Sequence, residues 1–415
     1  MRRANLALRD HHHHIDVFCH HRHRHHPMPA TEERKPPYRF LLIVSVILAL
    51  LHAFVGLSLL PDLPAANAVR WLGAAYLAFS WIVLPLTILS RFIRHRGLAD
   101  ALGWVGSIAM GLFSTLLVFT LLRDVLLALG LLFLPGALEH DSAMWSAVAV
   151  PALALLVSLL GFVNARRRAR VVNVDVPLRG LPPALEGFTL VQISDIHVGP
   201  TIKRRYLDAI VDAVNALDAD AIAVTGDVVD GRVEHLAPHT APLARLKARH
   251  GAFFVTGNHE YYSGEAAWSA EFARLGLSVL KNRHVVLEHA GARLVLGGVT
   301  DFTSQQYVPE EPSDPQAAIA GAPADAGARV LLAHQPRSAD AAAAAGFDLQ
   351  LSGHTHGGQF WPWNHFVRMQ QPYTAGLHCH AGTMWVYTSR GTGYWGPPKR
   401  LGAPSEITRL RLIAA

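Results

Sequence analysis

Four long apolar runs constrain this 415-residue chain more than any other feature. Residues 40–60, 71–90, 101–122 and 143–163 contain no Asp, Glu, Lys or Arg. Each has the roughly 20 residues that a helix needs to cross a bilayer. A cleavable signal peptide has one short apolar core, so it does not account for four long ones. The sequence therefore predicts a transmembrane α-helical bundle of four spans over 38–165. The stretch 125–138 is also apolar but shorter, and Arg123-Asp124 separates it from the third run. It is expected to be the far end of a long or tilted third helix, with the two charges paired or near an interface. A separate fifth span is the less favoured alternative.

Loop charges set the orientation. Arg34, Lys35 and Arg39 precede the first run, Arg91, Arg94 and Arg96 follow the second, and Arg166, Arg167, Arg168 and Arg170 follow the fourth. The loops between carry Asp62 with Arg70, and Glu139 with Asp141. This alternation predicts that both ends of the bundle, and the large C-terminal half, lie on the cytoplasmic side. The net charge of +6 fits membrane topology, and no aromatic-interleaved basic motif points to nucleic acid, so no nucleic-acid partner is expected. Two cysteines, Cys19 and Cys379, cannot build a disulfide framework. Residues 1–37 are polar, with nine histidines between His11 and His26, and hold too few apolar residues to fold alone. They read as a disordered extension upstream of Met28 or as a metal-sequestering tract, the first being favoured.

From about Val171 short β-branched runs alternate with amphipathic stretches, which predicts an α/β or α+β domain over 171–415. Strands are expected at 188–193, 221–225, 252–256, 294–299, 330–333 and 348–351. Between the first two, Tyr206, Leu207, Ile210, Val211, Val214 and Leu217 recur at helical spacing. Five of the strands end alike, at a small residue or turn followed at once by Asp, Asn or His. They give Ser194-Asp195-Ile196-His197, Gly226-Asp227-Val228-Val229-Asp230, Gly257-Asn258-His259-Glu260, Ala333-His334 and Gly353-His354-Thr355-His356. Strand ends on one edge of a sheet are where loops converge on a ligand. Carboxylate, imidazole and amide oxygen without thiolate suit a divalent cation such as Mn, Fe, Zn, Ni or Mg. Seven such ligands exceed one tetrahedral zinc and match two metal ions sharing a bridging carboxylate, the arrangement for phosphate-ester hydrolysis. Each fragment alone is an ordinary turn; five in order, each closing a strand, are not.

These fragments resemble the calcineurin-like metallophosphoesterase superfamily. The GHTHGGQ run at 353–359, the four spans, Ser389-Arg390-Gly391 and Pro404-Ser405-Glu406-Ile407 resemble more narrowly the bacterial YkuE/YaeI-type membrane phosphohydrolases. The resemblance implies a four-layer sandwich, two mixed β-sheets flanked by helices. It implies that Asp195, His197 and His356 hold the first metal and Asn258, His334 and His354 the second, with Asp227 bridging. A metal-bridging hydroxide would attack phosphorus, His259 would protonate or stabilise the leaving oxygen, and Asp230 would orient His259. A turn-capping role for Asp230 stands level with that one. The expected enzyme is a metal-dependent phosphoesterase at the cytoplasmic face of a bacterial inner or plasma membrane. It would hydrolyse a phosphodiester or pyrophosphate, with a lipid-linked nucleotide such as UDP-diacylglucosamine as one guess. The alternative is a catalytically silent membrane sensor or scaffold, which would be expected to have lost Asp227 or His259; both are present. A nuclease of the same superfamily would need a basic surface and no spans. Substrate, metal identity and oligomeric state stay open.

Three further groups stand out. Trp361, Trp363 and Phe366 read as core, ahead of an apolar substrate wall or an interface contact. His378-Cys379-His380 reads as a loop coincidence rather than a metal site. Arg390 and Lys399-Arg400 read as solvated charge at least as readily as substrate contacts.

Overall fold

The computed structural model describes residues 38–64, 67–90, 93, 95–133 and 140–415. The expectations that fall on 1–37, Arg91, Arg94, 134–138 and Glu139 lie outside the described residues. Helices α1 (Tyr38–Leu59), α2 (Asn67–Leu89), α3 (Arg96–Phe133) and α4 (His140–Arg166) follow the apolar runs. All four are long and apolar enough to cross a membrane. α3 is continuous for 38 residues, so 125–133 does extend the third helix. Arg123 explains how a charge is tolerated there. Its guanidinium donates to Ser58 O (3.0 Å), Asp124 Oδ1 (3.0 Å), Ser146 Oγ (2.9 Å) and Ala143 O (3.1 Å), and it pairs with Asp62. A buried charge in an apolar setting persists only when its donors are satisfied in this way. Further along the bundle, His52 of α1 stacks on Phe113 of α3 with ring centroids 3.6 Å apart and meets Ser80 of α2 at 3.2 Å.

The C-terminal half holds two six-stranded sheets. Its strands are β1 (Arg170–Leu178), β2 (Thr189–Ile193), β3 (Ala221–Val224), β4 (Ala252–Phe254), β5 (Leu277–Val279) and β6 (Arg283–His289). They continue with β7 (Ala292–Gly298), β8 (Ala328–Leu332), β9 (Leu349–Ser352), β10 (Gly376–His380), β11 (Met384–Thr388) and β12 (Glu406–Ala414). One sheet runs β1-β12-β2-β3-β4-β5 and the other β10-β11-β9-β8-β7-β6. Both are mixed: β2 through β5 are parallel while β12 is antiparallel to β2, and β7, β8, β9 and β11 are parallel while β6 and β10 pair antiparallel.

Side-chain alternation builds the layers. In β2 and β3, Leu190, Ala221 and Ala223 face the other sheet, joining Leu294, Leu296, Val330 and Leu351 in a shared core. Val191, Ile193, Ile222 and Val224 face outward, onto α5 (Arg204–Asn215), α6 (Val233–Thr240) and α8 (Glu265–Arg274, which follows the short α7, Asn258–Ser263). Central strands are buried on both faces, so they read as continuous apolar runs rather than as alternation. The second sheet is covered outside by α9 (Pro315–Ile319) and α10 (Ala339–Ala344) through Ala318, Ala339, Ala342 and Phe347. The result is helix, sheet, sheet, helix, as expected.

Three expectations fail. Trp361, Trp363 and Phe366 are 41%, 41% and 54% exposed, because the chain turns outward after the GHTHGGQ run instead of back into the sandwich. Lys399 and Arg400 are buried, not solvated: one enters the helical bundle and the other the site below. His378-Cys379-His380 lies on strand β10 rather than in a loop.

Trp268 of α8 is fully buried, and its indole donates to Gly231 O at 2.8 Å, just beyond Asp230. Trp268→Ala should cost ~3–5 kcal/mol. We expect a clearly lower denaturation midpoint for the full chain in detergent; an unchanged midpoint would contradict this packing.

Candidate metal centre

The five motif loops leave the C-terminal ends of parallel strands, β2, β3 and β4 in one sheet and β8 and β9 in the other, so the two sheets face a common edge. Turning sharply there demands unusual backbone. Asp195, His197, Asp227, His354 and His356 all have φ between 52° and 69°, in the left-handed region that non-glycine residues avoid. Strain of this kind, of order 1–3 kcal/mol per residue, persists only where the surroundings enforce it. Backbone bonds from Asp195 N to Gly226 O (3.0 Å) and His197 N to Asp227 O (3.1 Å) tie the first two loops together. Close approach needs glycine at two places. A Cβ on Gly257 would lie 2.2 Å from Asp227 Oδ1, and one on Gly353 2.2 Å from Asp195 Oδ2.

Eight of the nine expected site residues gather at this edge, with Asp195, His197 and His356 in one group and Asp227, His334 and His354 in another, while Asp230 and His259 lie against His197. In one, His356 Nε2 lies 3.1 Å from His197 Nε2 and 3.3 Å from Asp195 Oδ1. In the other, His334 Nε2 lies 3.3 Å from His354 Nδ1 and 3.1 Å from Asp227 Oδ2. The same Asp227 oxygen is 3.9 Å from His197 Nε2, so it stands between the groups. Ligands around a cation at about 2.1 Å are themselves about 3.0–3.4 Å apart, so these atoms have the spacing of shared coordination shells. Asn258 Nδ2 donates to Tyr262 Oη at 3.2 Å, while its Oδ1 is buried without a partner. A buried carbonyl oxygen left unpaired is costly, and a cation would satisfy it. The residues present therefore fit divalent metal.

The electrostatics divide the histidines. Burial, reinforced by the charge of Arg400, holds His356 well below its usual pKa. Burial and the neighbouring His334 bring His354 down to about 4. Neutral imidazole is the ligating form. His334 shifts in the opposite direction, since burial lowers it but Asp227 outweighs that and holds it well above its usual pKa, and so does His259. Burial lowers its pKa, but Asp227 and Asp230 outweigh that and raise it to about 9. Its Nδ1 pairs with Asp230 Oδ1, and its Nε2 is 3.9 Å from Asp227 Oδ2. Burial would raise the Asp230 carboxyl, yet His197 and His259 together hold it far below the carboxylate range. Asp230 Oδ2 also lies 3.2 Å from His197 Nδ1, off the line of a hydrogen bond.

Two supporting residues had no role in the sequence reading. Glu260 is fully buried, and its carboxylate accepts from the backbone N–H groups of Asp227 (2.9 Å), Val228 (2.8 Å), Val229 (3.3 Å) and Gly257 (2.7 Å). A glutamate three residues into a helix start was the available signal. Arg400 donates to His356 O (2.9 Å) and Arg390 O (2.7 Å) and meets His356 Nδ1 at 3.1 Å. Nothing local in the sequence separates it from a surface arginine. Arg390 itself pairs with Glu406 at 2.6 Å.

A model of the calcineurin-like phosphoesterase family matches residues 188–358, which include all nine of these residues. The "Transmembrane protein with metallophosphoesterase domain" of Bos taurus is 39% identical over 279 residues, covering 64% of this chain and 63% of its own length. Its namesake in Danio rerio is 34% identical over 317 residues, covering 74% of this chain and 72% of its own. The "Uncharacterized metallophosphoesterase YkuE" of Bacillus subtilis is 28% identical over 236 residues, covering 55% and 80%. The chain spans 63% of the first of these relatives and 72% of the second, carries four helices long and apolar enough to cross a membrane, and belongs to the calcineurin-like metallophosphoesterases.

Proposed function

We propose that the chain hydrolyses a phosphodiester or pyrophosphate bond with two divalent cations, its segment 38–165 anchoring the catalytic domain 171–415 at the cytoplasmic face of a bacterial membrane. The observation that carries this reading is Asp227 Oδ2, 3.1 Å from His334 Nε2 and 3.9 Å from His197 Nε2. One carboxylate oxygen reaches both donor groups. Asp195, His197 and His356 would hold one cation, Asn258, His334 and His354 the other, with Asp227 shared. Bound there, two cations supply Lewis acidity that neutralises charge on the phosphoryl oxygens and brings the pKa of water towards neutrality.

The remaining steps belong to protein side chains. His259 is the general acid of this reading, because Asp230 faces its Nδ1 and favours the protonated ring. Asp230 accepts the Nδ1 proton, which orients the ring and leaves the Nε2 proton for the departing oxygen. Glu260 fixes the loop that carries Asp227, and Arg400 fixes the carbonyl and ring of His356. The arginines that flank the helices support the cytoplasmic placement. A panel of aryl, nucleotide and lipid phosphodiesters, UDP-diacylglucosamine among them, tested with the Mn-loaded full chain in detergent, measures the activity and its bond class.

Three outcomes are expected. Metal analysis of the saturated full chain should approach two ions per chain; one or fewer would refute the shared-carboxylate reading. Asp227→Asn should lower metal content and cut turnover by at least the roughly 10–100-fold typical of even outer-shell partners. His259→Ala should keep its metals and lose about 10²–10⁴-fold with a poor leaving group, and much less with a nitrophenyl ester. Loss of metal in that variant would make His259 a ligand instead.

A further inference from the structure

The aromatic segment after the GHTHGGQ run joins no core of the catalytic half. Besides Trp361, Trp363 and Phe366, Met369 is 81% exposed. The segment nevertheless has a fixed neighbour. The indole of Trp363 donates to Ser114 Oγ at 2.9 Å, and the Trp361 ring lies 6.2 Å from that of Phe119. Both partners belong to α3, about 20 Å along the helix from Ala101 in the case of Ser114. Phe113, next to Ser114, is the ring that stacks on His52, which in turn meets Ser80. The contact therefore falls at a level where α1, α2 and α3 are all inside their apolar runs.

A second loop descends beside the first. Lys399 Nζ lies between α3 and α4, donating to Gly111 O (3.3 Å) and Ser158 Oγ (3.2 Å) and bonding Thr115. Gln359 ties the two loops, its Nε2 donating to Trp395 O (2.9 Å) and Pro397 O (3.1 Å). Several backbone donors at the segment are satisfied internally, as an apolar medium favours. Trp361 N reaches Leu401 O (3.3 Å), Trp363 N Phe360 O (3.0 Å), His365 N Pro362 O (3.0 Å) and Gln370 N Val367 O (3.0 Å). Exposed Arg368 follows these aromatics, on a long apolar stem that can carry its guanidinium towards a headgroup. In water such a cluster of bare apolar side chains would be a liability; against lipid it is ordinary.

We infer that residues 361–369 insert into the bilayer beside α3, so that the metal centre works at the membrane surface on a phosphoester carried by an amphiphile. The margin between the segment and the centre is aromatic. Half-exposed Trp395 and Tyr262 lie 5.7 and 5.1 Å from the His259 ring. The insertion stands on the contacts alone, whereas the amphiphilic substrate rests on the hydrolytic reading above.

Two measurements on the full chain in phosphatidylcholine–phosphatidylglycerol nanodiscs test it. The first places a nitroxide at Met369→Cys in a Cys19→Ser, Cys379→Ser background, with exposed Glu288→Cys as the aqueous control. Collisions with oxygen should dominate at 369, and those with a water-soluble nickel chelate at 288. Nickel dominance at both sites would overturn insertion. The second compares hexadecyl 4-nitrophenyl phosphate in the bilayer with soluble methyl 4-nitrophenyl phosphate. In both, water adds to phosphorus and nitrophenolate leaves, so only the alkyl group differs. Trp361→Ser/Trp363→Ser/Phe366→Ser should lose at least about tenfold on the hexadecyl ester and stay within about twofold on the methyl ester, as lost membrane contact requires. Equal effects on both esters would overturn the amphiphile. If the unmodified chain cleaves neither ester, the hydrolytic reading fails, while the nitroxide depth still decides insertion.

Discussion

The buried carboxylate of Asp227, set between two groups of histidines, can exist only under heavy constraint, and much of the catalytic half answers to that. Its oxygen is buried among imidazoles of His334, His197 and His259, and their positive character holds its pKa well down against the penalty of burial. A second carboxylate, Glu260, is buried behind it; burial and the Asp227 charge push its pKa up to about 8. Two acidic groups so close repel each other. The four N–H groups that converge on Glu260 offset that repulsion, and three of them, at Asp227, Val228 and Val229, are amides of the loop that carries Asp227. The glycine at 257 is the corresponding steric concession. What holds Asp227 in place is thus a backbone loop wrapped around one glutamate.

Much of this was legible because it is local. Each ligand follows its strand within a few residues, so a β-branched run that stops at Asp, Asn or His marks both the end of the strand and a donor at the sheet edge. The strands β2, β3, β4, β8 and β9 appear within a residue or two of their expected ends. The left-handed backbone at Asp195 or His354 has no signature in residue type, since glycine is the usual occupant of that region. β12 was missed for another reason. Its alternation of Leu410 and Leu412 with Arg409 and Arg411 is plain, but its place beside β1 and β2 depends on a pairing across more than 200 residues.

The least legible residues are those whose surroundings come from elsewhere in the fold. Lys399 and Arg400 look like any exposed basic pair, yet helices about 240 residues earlier bury the first and the GHTHGGQ loop buries the second. Trp361 and Trp363 fail in the opposite direction. Hydrophobic sequence predicts removal from water, and a core is only one way to be out of water. A chain with apolar helices beside its catalytic half offers another.

Lys399 and Arg400 are neighbours in sequence, and each is held at its far end. The ammonium bonds the carbonyl of Gly111 and the hydroxyls of Thr115 and Ser158, and burial draws its pKa down to about 8. The guanidinium bonds the carbonyl and ring of His356. A single peptide unit is therefore the lever arm between two membrane helices and one imidazole of the centre. The peptide unit between them is planar and nearly rigid, so the two anchor points are joined by two flexible side chains and one stiff link. Separating α3 from α4 would have to break the bonds of one ammonium, whose chain neighbour holds the carbonyl and ring of His356.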